Sequence, residues 1–289
     1  MKKTTKKPVK KTIVKKTKKV DPKLVIFPLV AIGVLIIGIL GVKAIKRLTA
    51  KPTVDPKPIG KKRQITEPVN IIDVSERPYL SIIPTADGRN IILKANALKK
   101  PASEFDFEMM YQSGNQLQGI TGSMKLASIP ASDKFLLGSC STGGKCTYHE
   151  NVKGGTITTR FSGLADVYAL KQDFKYIDNA SRETDFSSKD MKFQISSQDL
   201  AKQRFLIIFN SPGYPEGLSG LVKSEPYALN SSGTLSGSAE LTIKASSGEN
   251  LKIAGWNGTQ WQEFETTSAE SNMVTATVDL VELYVVVGD

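Results

Sequence analysis

From residue 68 onward, apolar residues occupy mostly alternate positions along the chain. Segment 104–111 places Phe, Met and Tyr on one side of an extended backbone and mainly acidic residues on the other. One apolar and one polar face is typical of strands in antiparallel sheets. The run RFLIIF at 204–209 is apolar almost throughout and predicts a central strand. Similar alternation occurs at 120–126, 168–176, 191–195, 235–243 and 274–278.

Turn residues separate these segments. Asp87-Gly88, Ser113-Gly114 and Asn257-Gly258 each lie between two alternating runs, and Asn-Gly is the strongest hairpin signal. Only 197–203 favours a helical turn. Many short strands with almost no helix predict an all-β fold of antiparallel β-sandwiches.

Domain boundaries follow from length and periodicity. About 220 residues suit two sandwiches better than one. The least periodic stretch is 178–189. We therefore expect one β-sandwich domain over 67–180 and a second over 181–289.

Ahead of the strands, Leu24 to Val42 is a run of nineteen uncharged residues. As a helix it would extend over roughly 28 Å, close to the hydrocarbon thickness of a bilayer. The run exceeds the apolar region of a cleaved signal peptide, and Lys43 follows it directly. The sequence therefore predicts an N-terminal transmembrane helix that acts as an uncleaved signal anchor.

Two short basic segments account for the formal net charge of +11. Residues 1–23 contain eleven Lys and one Asp, and residues 43–63 contain eight Lys or Arg and one Asp. The remaining chain has 20 basic and 26 acidic residues, which argues against specific nucleic-acid binding by the folded domains. We expect 1–23 to be a disordered cytoplasmic tail on anionic lipid, with electrostatic tethering of nucleic acid or ribosomes as the alternative, and 43–66 to be a basic Pro/Lys spacer.

This topology places the N-terminus in the cytoplasm and the C-terminal domains outside the cell membrane. Lysines and arginines flank both ends of the apolar run, with a small excess on the N-terminal side. The β-rich nature of the C-terminal part favours the same orientation.

Cys140 and Cys146 are the two cysteines of the chain, and Gly143-Gly144 between them allows a tight reversal. In an oxidising compartment this arrangement predicts a hairpin disulfide. An alternative is a metal site formed by Cys140, Cys146 and His149. Its five-residue spacing differs from that of the usual zinc-binding cysteine pairs, so we expect no metal.

Trp256 and Trp261 flank the Asn257-Gly258 turn. A two-residue turn would pair residue 256 with 259 and residue 254 with 261, which places both Trp on the face of Lys252 and Glu263. Two aromatic residues on a partly wet face are candidate contacts for a sugar or a protein partner. The alternative is structural: cross-strand packing, or cover by a loop.

Catalytic motifs are sparse. The single His limits His-dependent chemistry, and no G-x-S-x-G motif is present. We expect a non-enzymatic protein without a cofactor. A pair of acids suited to glycoside hydrolysis stays an alternative, because many acidic residues are available.

The C-terminal half resembles a ZU5-like β-sandwich module of bacterial surface proteins. The resemblance rests on YALNSSG at 227–233, SAELTI at 238–243, LKIAGWNGTQWQEF at 251–264 and MVTATVDLVELYVVV at 273–287. Some members of that family cleave themselves at a His-Phe-Ser step. Residues 281–284 lack His and Ser, so we expect no self-cleavage here.

The first half is similar to membrane-anchored proteins of Patescibacteria through LLGSCSTGGKCTYHENVKGGTITTRF at 136–161, a resemblance that implies no activity. Together these features predict a membrane-anchored surface protein that binds a cell-surface glycan or protein, with an adhesive or structural role. Two alternatives stay open: a subunit of a secretion, pilus or division complex of the envelope, and an extracytoplasmic carbohydrate hydrolase.

Overall fold

The alternating segments form antiparallel β-strands in the computed structural model, which describes residues 67–164 and 166–289. The predicted all-β fold is confirmed for this part of the chain. The strands are β1 (Tyr79–Pro84), β2 (Asn90–Ala97), β3 (Glu104–Ser113), β4 (Gln116–Lys125), β5 (Ala131–Leu136), β6 (Gly138–Cys140), β7 (Cys146–Tyr148), β8 (Val152–Ser162), β9 (Tyr168–Asp178), β10 (Asp185–Ser187), β11 (Phe193–Ser196), β12 (Phe205–Asn210), β13 (Leu221–Val222), β14 (Tyr227–Ser231), β15 (Ser238–Lys244), β16 (Lys252–Trp256), β17 (Trp261–Phe264), β18 (Thr266–Glu270), β19 (Met273–Asp279) and β20 (Leu283–Gly288).

Helical structure is limited to two 3₁₀ turns in the described residues, Val74–Glu76 and Leu200–Lys202. The second confirms the helical turn expected at 197–203. No helix in these residues is long and apolar enough to cross a membrane. The expected tail, transmembrane helix Leu24–Val42 and spacer lie outside the described residues.

The strands form four sheets. The largest has the order β17-β16-β20-β14-β12-β9-β8-β3-β4, with β13 also pairing with β20. A five-stranded sheet has the order β10-β11-β15-β19-β18, a three-stranded sheet the order β1-β2-β5, and β6 pairs with β7. Strands β9 and β12 lie on either side of residue 180 and are hydrogen-bonded neighbours, so the large sheet runs across that position.

Strand β12 contributes to two hydrophobic cores. Ile207 and Phe209 lie in a core shared with the three-stranded sheet, hereafter the first core. Leu206 and Ile208 lie in a core shared with the five-stranded sheet, hereafter the second core. These four side chains are fully buried. The apolar run RFLIIF therefore forms a strand buried on both faces, which confirms the predicted central strand.

Met191 departs from the predicted alternation. It precedes β11 instead of sharing its buried face, has φ +61°, and is 58% exposed. Its amide donates to the Ser188 carbonyl, and the Asp190 carboxylate accepts from the amide of Lys192. These local bonds form a turn, which ends the strand before Met191.

Buried tyrosines predict sensitivity to alkaline pH. Burial raises the pKa of Tyr111 to about 12 and also raises the pKa values of Tyr79, Tyr168, Tyr227 and Tyr284. Their unfolded pKa is about 10, so their contribution to stability is complete below that pH and is lost as the pH rises through the raised values.

Denaturant titrations across this range, combined with phenolate absorbance, test the pH prediction. We expect the free energy of unfolding to fall above about pH 10, with most phenolate appearing together with unfolding. Ionisation of all the tyrosines at about pH 10 in the folded protein would contradict it.

Candidate functional site

The hairpin of β16 and β17 is closed by a four-residue turn, Asn257 to Gln260. The Asn257 side-chain carbonyl accepts hydrogen bonds from the amides of Thr259 and Gln260 and from the Thr259 hydroxyl. Gly258 has φ +96°, a conformation that favours glycine. The predicted hairpin is confirmed, but its turn is two residues longer than expected.

The longer turn changes the register. Trp256 lies directly opposite Trp261, and Ala254 lies opposite Glu263, so the expected pairing of residue 256 with 259 and of 254 with 261 is wrong. The physical reason is the Asn257 side chain, whose carbonyl accepts from the amides of Thr259 and Gln260 and so holds both residues in the turn and not in β17. The shared face is confirmed, since Lys252 Nζ lies 3.4 Å from Glu263 Oε2 on it.

Three half-buried aromatic side chains form a cluster on this face: Trp256, Trp261 and Tyr214, hereafter the aromatic cluster. The two indole rings are 5.6 Å apart between centroids, and Trp261 meets Tyr214 edge to face at 6.4 Å. All three also pack against the first core. The cluster therefore has a rigid base and a partly exposed rim.

A loop that carries Tyr214 covers part of the Trp pair. Trp261 Nε1 donates to the Glu216 carbonyl at 3.0 Å. Lys99 places its ammonium 3.8 Å from the centre of the Tyr214 ring, the geometry of a cation–π contact. The two Trp side chains thus pack across the strands and are covered by a loop, the structural alternatives that the sequence left open, and they are still partly exposed.

Charges near the aromatic cluster are partly desolvated. Burial lowers the pKa of Lys99, and the neighbouring Glu216 acts in the opposite direction. Burial also raises the pKa of Tyr214, as does the negative charge of Asp73. The cluster can therefore offer a ligand aromatic surface, one cation and a neutral phenol at neutral pH.

The disulfide lies elsewhere, in the β6–β7 hairpin. Cys140 and Cys146 are directly opposite each other and are bonded, which confirms the predicted pair. His149 follows β7, and its Nδ1 lies 2.7 Å from the Tyr111 hydroxyl. Because both sulfur atoms are in the disulfide, the metal alternative lacks its two thiolate ligands in this structure.

The sequence prediction did not include Tyr214 or Lys99. Both are distant in the chain from the hairpin, and only the fold brings them to Trp261. A signal was present in SPGYPEG at 211–217, where an aromatic residue stands among turn formers. Tyr214 also lines an open cleft of about 730 Å³.

Comparisons with protein-family models, curated proteins and solved structures find no match to this chain. The resemblances at 136–161 and 227–287 stay predictions. The function is therefore inferred from the chemistry of the site.

Proposed function

We propose that this chain is a membrane-anchored, non-enzymatic binding protein of the cell surface. In this proposal Leu24–Val42 crosses the cell membrane, the N-terminus is cytoplasmic, and the folded part lies outside. The Cys140–Cys146 disulfide supports this location, because disulfides persist mainly in oxidising compartments. The folded part comprises the two sandwich domains expected at 67–180 and 181–289, coupled through their shared sheet.

The observation that carries the proposal is the aromatic cluster on a rigid β-hairpin. Half-exposed Trp and Tyr side chains present a large contact area at a low cost in conformational entropy. A sugar ring offers a flat face of C–H groups that fits against such a surface. We therefore infer a cell-surface glycan as the ligand.

The scaffold supports this role because it fixes the Trp side chains before a ligand arrives. Strand β16 pairs with both β17 and β20, and the opposite face of the hairpin places Ile253 and Phe264 in the second core. A preorganised surface loses less entropy on binding than a flexible one. The resemblance of 227–287 to ZU5-like surface modules agrees with this proposal.

Binding of surface glycans by the full-length protein in detergent tests the proposal. We expect Trp261→Ala to weaken binding about thirtyfold or more, because hot-spot aromatics contribute roughly 2 kcal/mol or more. Trp261→Phe should retain more of the affinity than Trp261→Ala, since it keeps an aromatic ring and loses part of the ring area and the bond to Glu216.

Tyr148→Ala is the matched control, because Tyr148 is a partly exposed aromatic outside the aromatic cluster. Its affinity should equal that of the wild type. Unchanged glycan binding by a folded Trp261→Ala protein would contradict the proposed role of the cluster. Co-purification with envelope proteins and no glycan binding would favour the complex-subunit alternative.

A further inference from the structure

The open cleft beside Tyr214 is lined by three lysines, Lys192, Lys223 and Lys244. Its volume of about 730 Å³ lies within the usual range of ligand sites, roughly 300–1,000 Å³. Residues 64–289 contain more acidic than basic residues, so the overall charge of this part does not explain why three lysines line one cleft.

Two of these lysines face each other across neighbouring chain segments. The Lys244 amide donates to the Lys192 carbonyl at 2.8 Å, next to the paired residues Phe193 and Ile243. Those two side chains point into the second core, so Lys192 and Lys244 project from the opposite, exposed face. Like charges in this arrangement repel each other, and an anion between them would relieve the repulsion.

The third lysine is held near the same end of β15. The Lys223 carbonyl accepts hydrogen bonds from both the amide and the hydroxyl of Ser246. Its own ammonium contacts the main-chain oxygen of Asp289 at 2.5 Å. Lys223 therefore adds positive charge to the cleft but is already partly engaged.

Protein carboxylates compensate the other two lysines incompletely. Lys192 Nζ lies 3.7 Å from Asp190, whereas within the described ranges no carboxylate lies within ion-pair distance of Lys244. Asp73 and Glu225 also line the cleft, so three lysines share it with two carboxylates, and the Asp73 carboxylate already accepts from the amide and hydroxyl of Ser75. Lys192 and Lys244 are thus the cations best placed for an external anion.

We propose that this cleft binds an anionic glycan, with Lys192 and Lys244 contacting the carboxylates of uronic acid residues. Tyr214 belongs to both the aromatic cluster and the cleft wall, so one glycan chain can contact sugar-stacking and anion-binding groups together. This inference rests on the proposed function and specifies the ligand class of the same surface.

The test probes are short oligogalacturonides and maltodextrins of equal length. Calorimetry measures their binding affinity for the full chain in neutral detergent. We expect the variant Lys192→Gln/Lys244→Gln to weaken oligogalacturonide binding roughly tenfold, and added salt to weaken wild-type binding. The basic segments 1–23 and 43–63 also attract polyanions, but their contribution is the same in every variant. Lys153→Gln, an exposed lysine on β8, is the matched control and should change affinity by less than about twofold.

The outcomes separate the two proposals. A selective loss in the double variant supports the anionic cleft. Equal affinity of the wild type and the double variant for oligogalacturonide would overturn the anionic cleft. Maltodextrin binding as tight as oligogalacturonide binding would also overturn the anionic cleft, but the glycan-binding function would stand. Failure of both probes to bind would reject the glycan-binding function and the cleft assignment together.

Discussion

Phe209→Ala is expected to lower the free energy of unfolding by about 3–5 kcal/mol, the usual cost of truncating a buried Phe. Phe209 is fully buried in the first core, between Phe174 of β9 and Ala228 of β14 in the large sheet. Its neighbour Ile208 faces the second core on the same strand. Because β12 joins the two cores, we expect the folded part to unfold in one cooperative transition, and Phe209→Ala should shift the midpoint of that whole transition.

Denaturant unfolding of the full-length protein, followed by Trp fluorescence and far-ultraviolet circular dichroism, measures this effect. The two Trp lie in β16 and β17 and pack against the first core, so their fluorescence reports on the region where the C-terminal half meets that core. Leu117→Ala, at a side chain that is 65% exposed, is the control and should change stability by less than about 0.5 kcal/mol. Two separate transitions, only one of them shifted by Phe209→Ala, would contradict the coupling.

Gly155→Ala is expected to destabilise the protein by about 3 kcal/mol, the upper end of the range for overpacking. Gly155 lies on β8 between Tyr111 of β3 and Phe174 of β9. A Cβ atom there would overlap the main-chain oxygen of Met110. Backbone atoms cannot move to another rotamer, so the three-strand ladder itself would have to shift.

Gly143→Ala provides the matched control for Gly155→Ala. Gly143 lies in the exposed turn of the disulfide hairpin, and a Cβ atom there would meet only the Ser141 hydroxyl, at 4.0 Å. In thermal unfolding, the midpoint temperature of Gly143→Ala should be close to that of the wild type, and that of Gly155→Ala should be far lower. Equal midpoints for the two variants would show that the close approach at Gly155 is not rigid.

The strands could be predicted because one face of many of them packs against a core. The alternation at 104–111 became β3, with Phe105, Phe107 and Met109 buried. The same local rule predicted a central strand at 204–209. It could not predict that alternate residues of β12 belong to two different cores, because that depends on sheets formed by distant segments.

The candidate site shows the same division between local and long-range information. Trp256 and Trp261 share a face for either turn length, because the expected two-residue turn and the observed four-residue turn both contain an even number of residues, so this face could be predicted. Their register depends on three hydrogen bonds to the Asn257 side chain and was missed. Tyr214 and the opposed Lys192 and Lys244 come together only through the tertiary fold, so no motif in the sequence reveals them.

Labelling of Cys140 and Cys146 in intact cells tests directly whether the folded part lies outside the cell membrane. Cells are treated with a membrane-impermeant thiol reagent, with and without an impermeant reductant beforehand. Cys140→Ser/Cys146→Ser, which removes both cysteines of the chain, provides the control for background labelling. We expect labelling of intact cells only after reduction. Labelling that appears only after lysis and needs no reductant would place free thiols in the cytoplasm and contradict the proposed location.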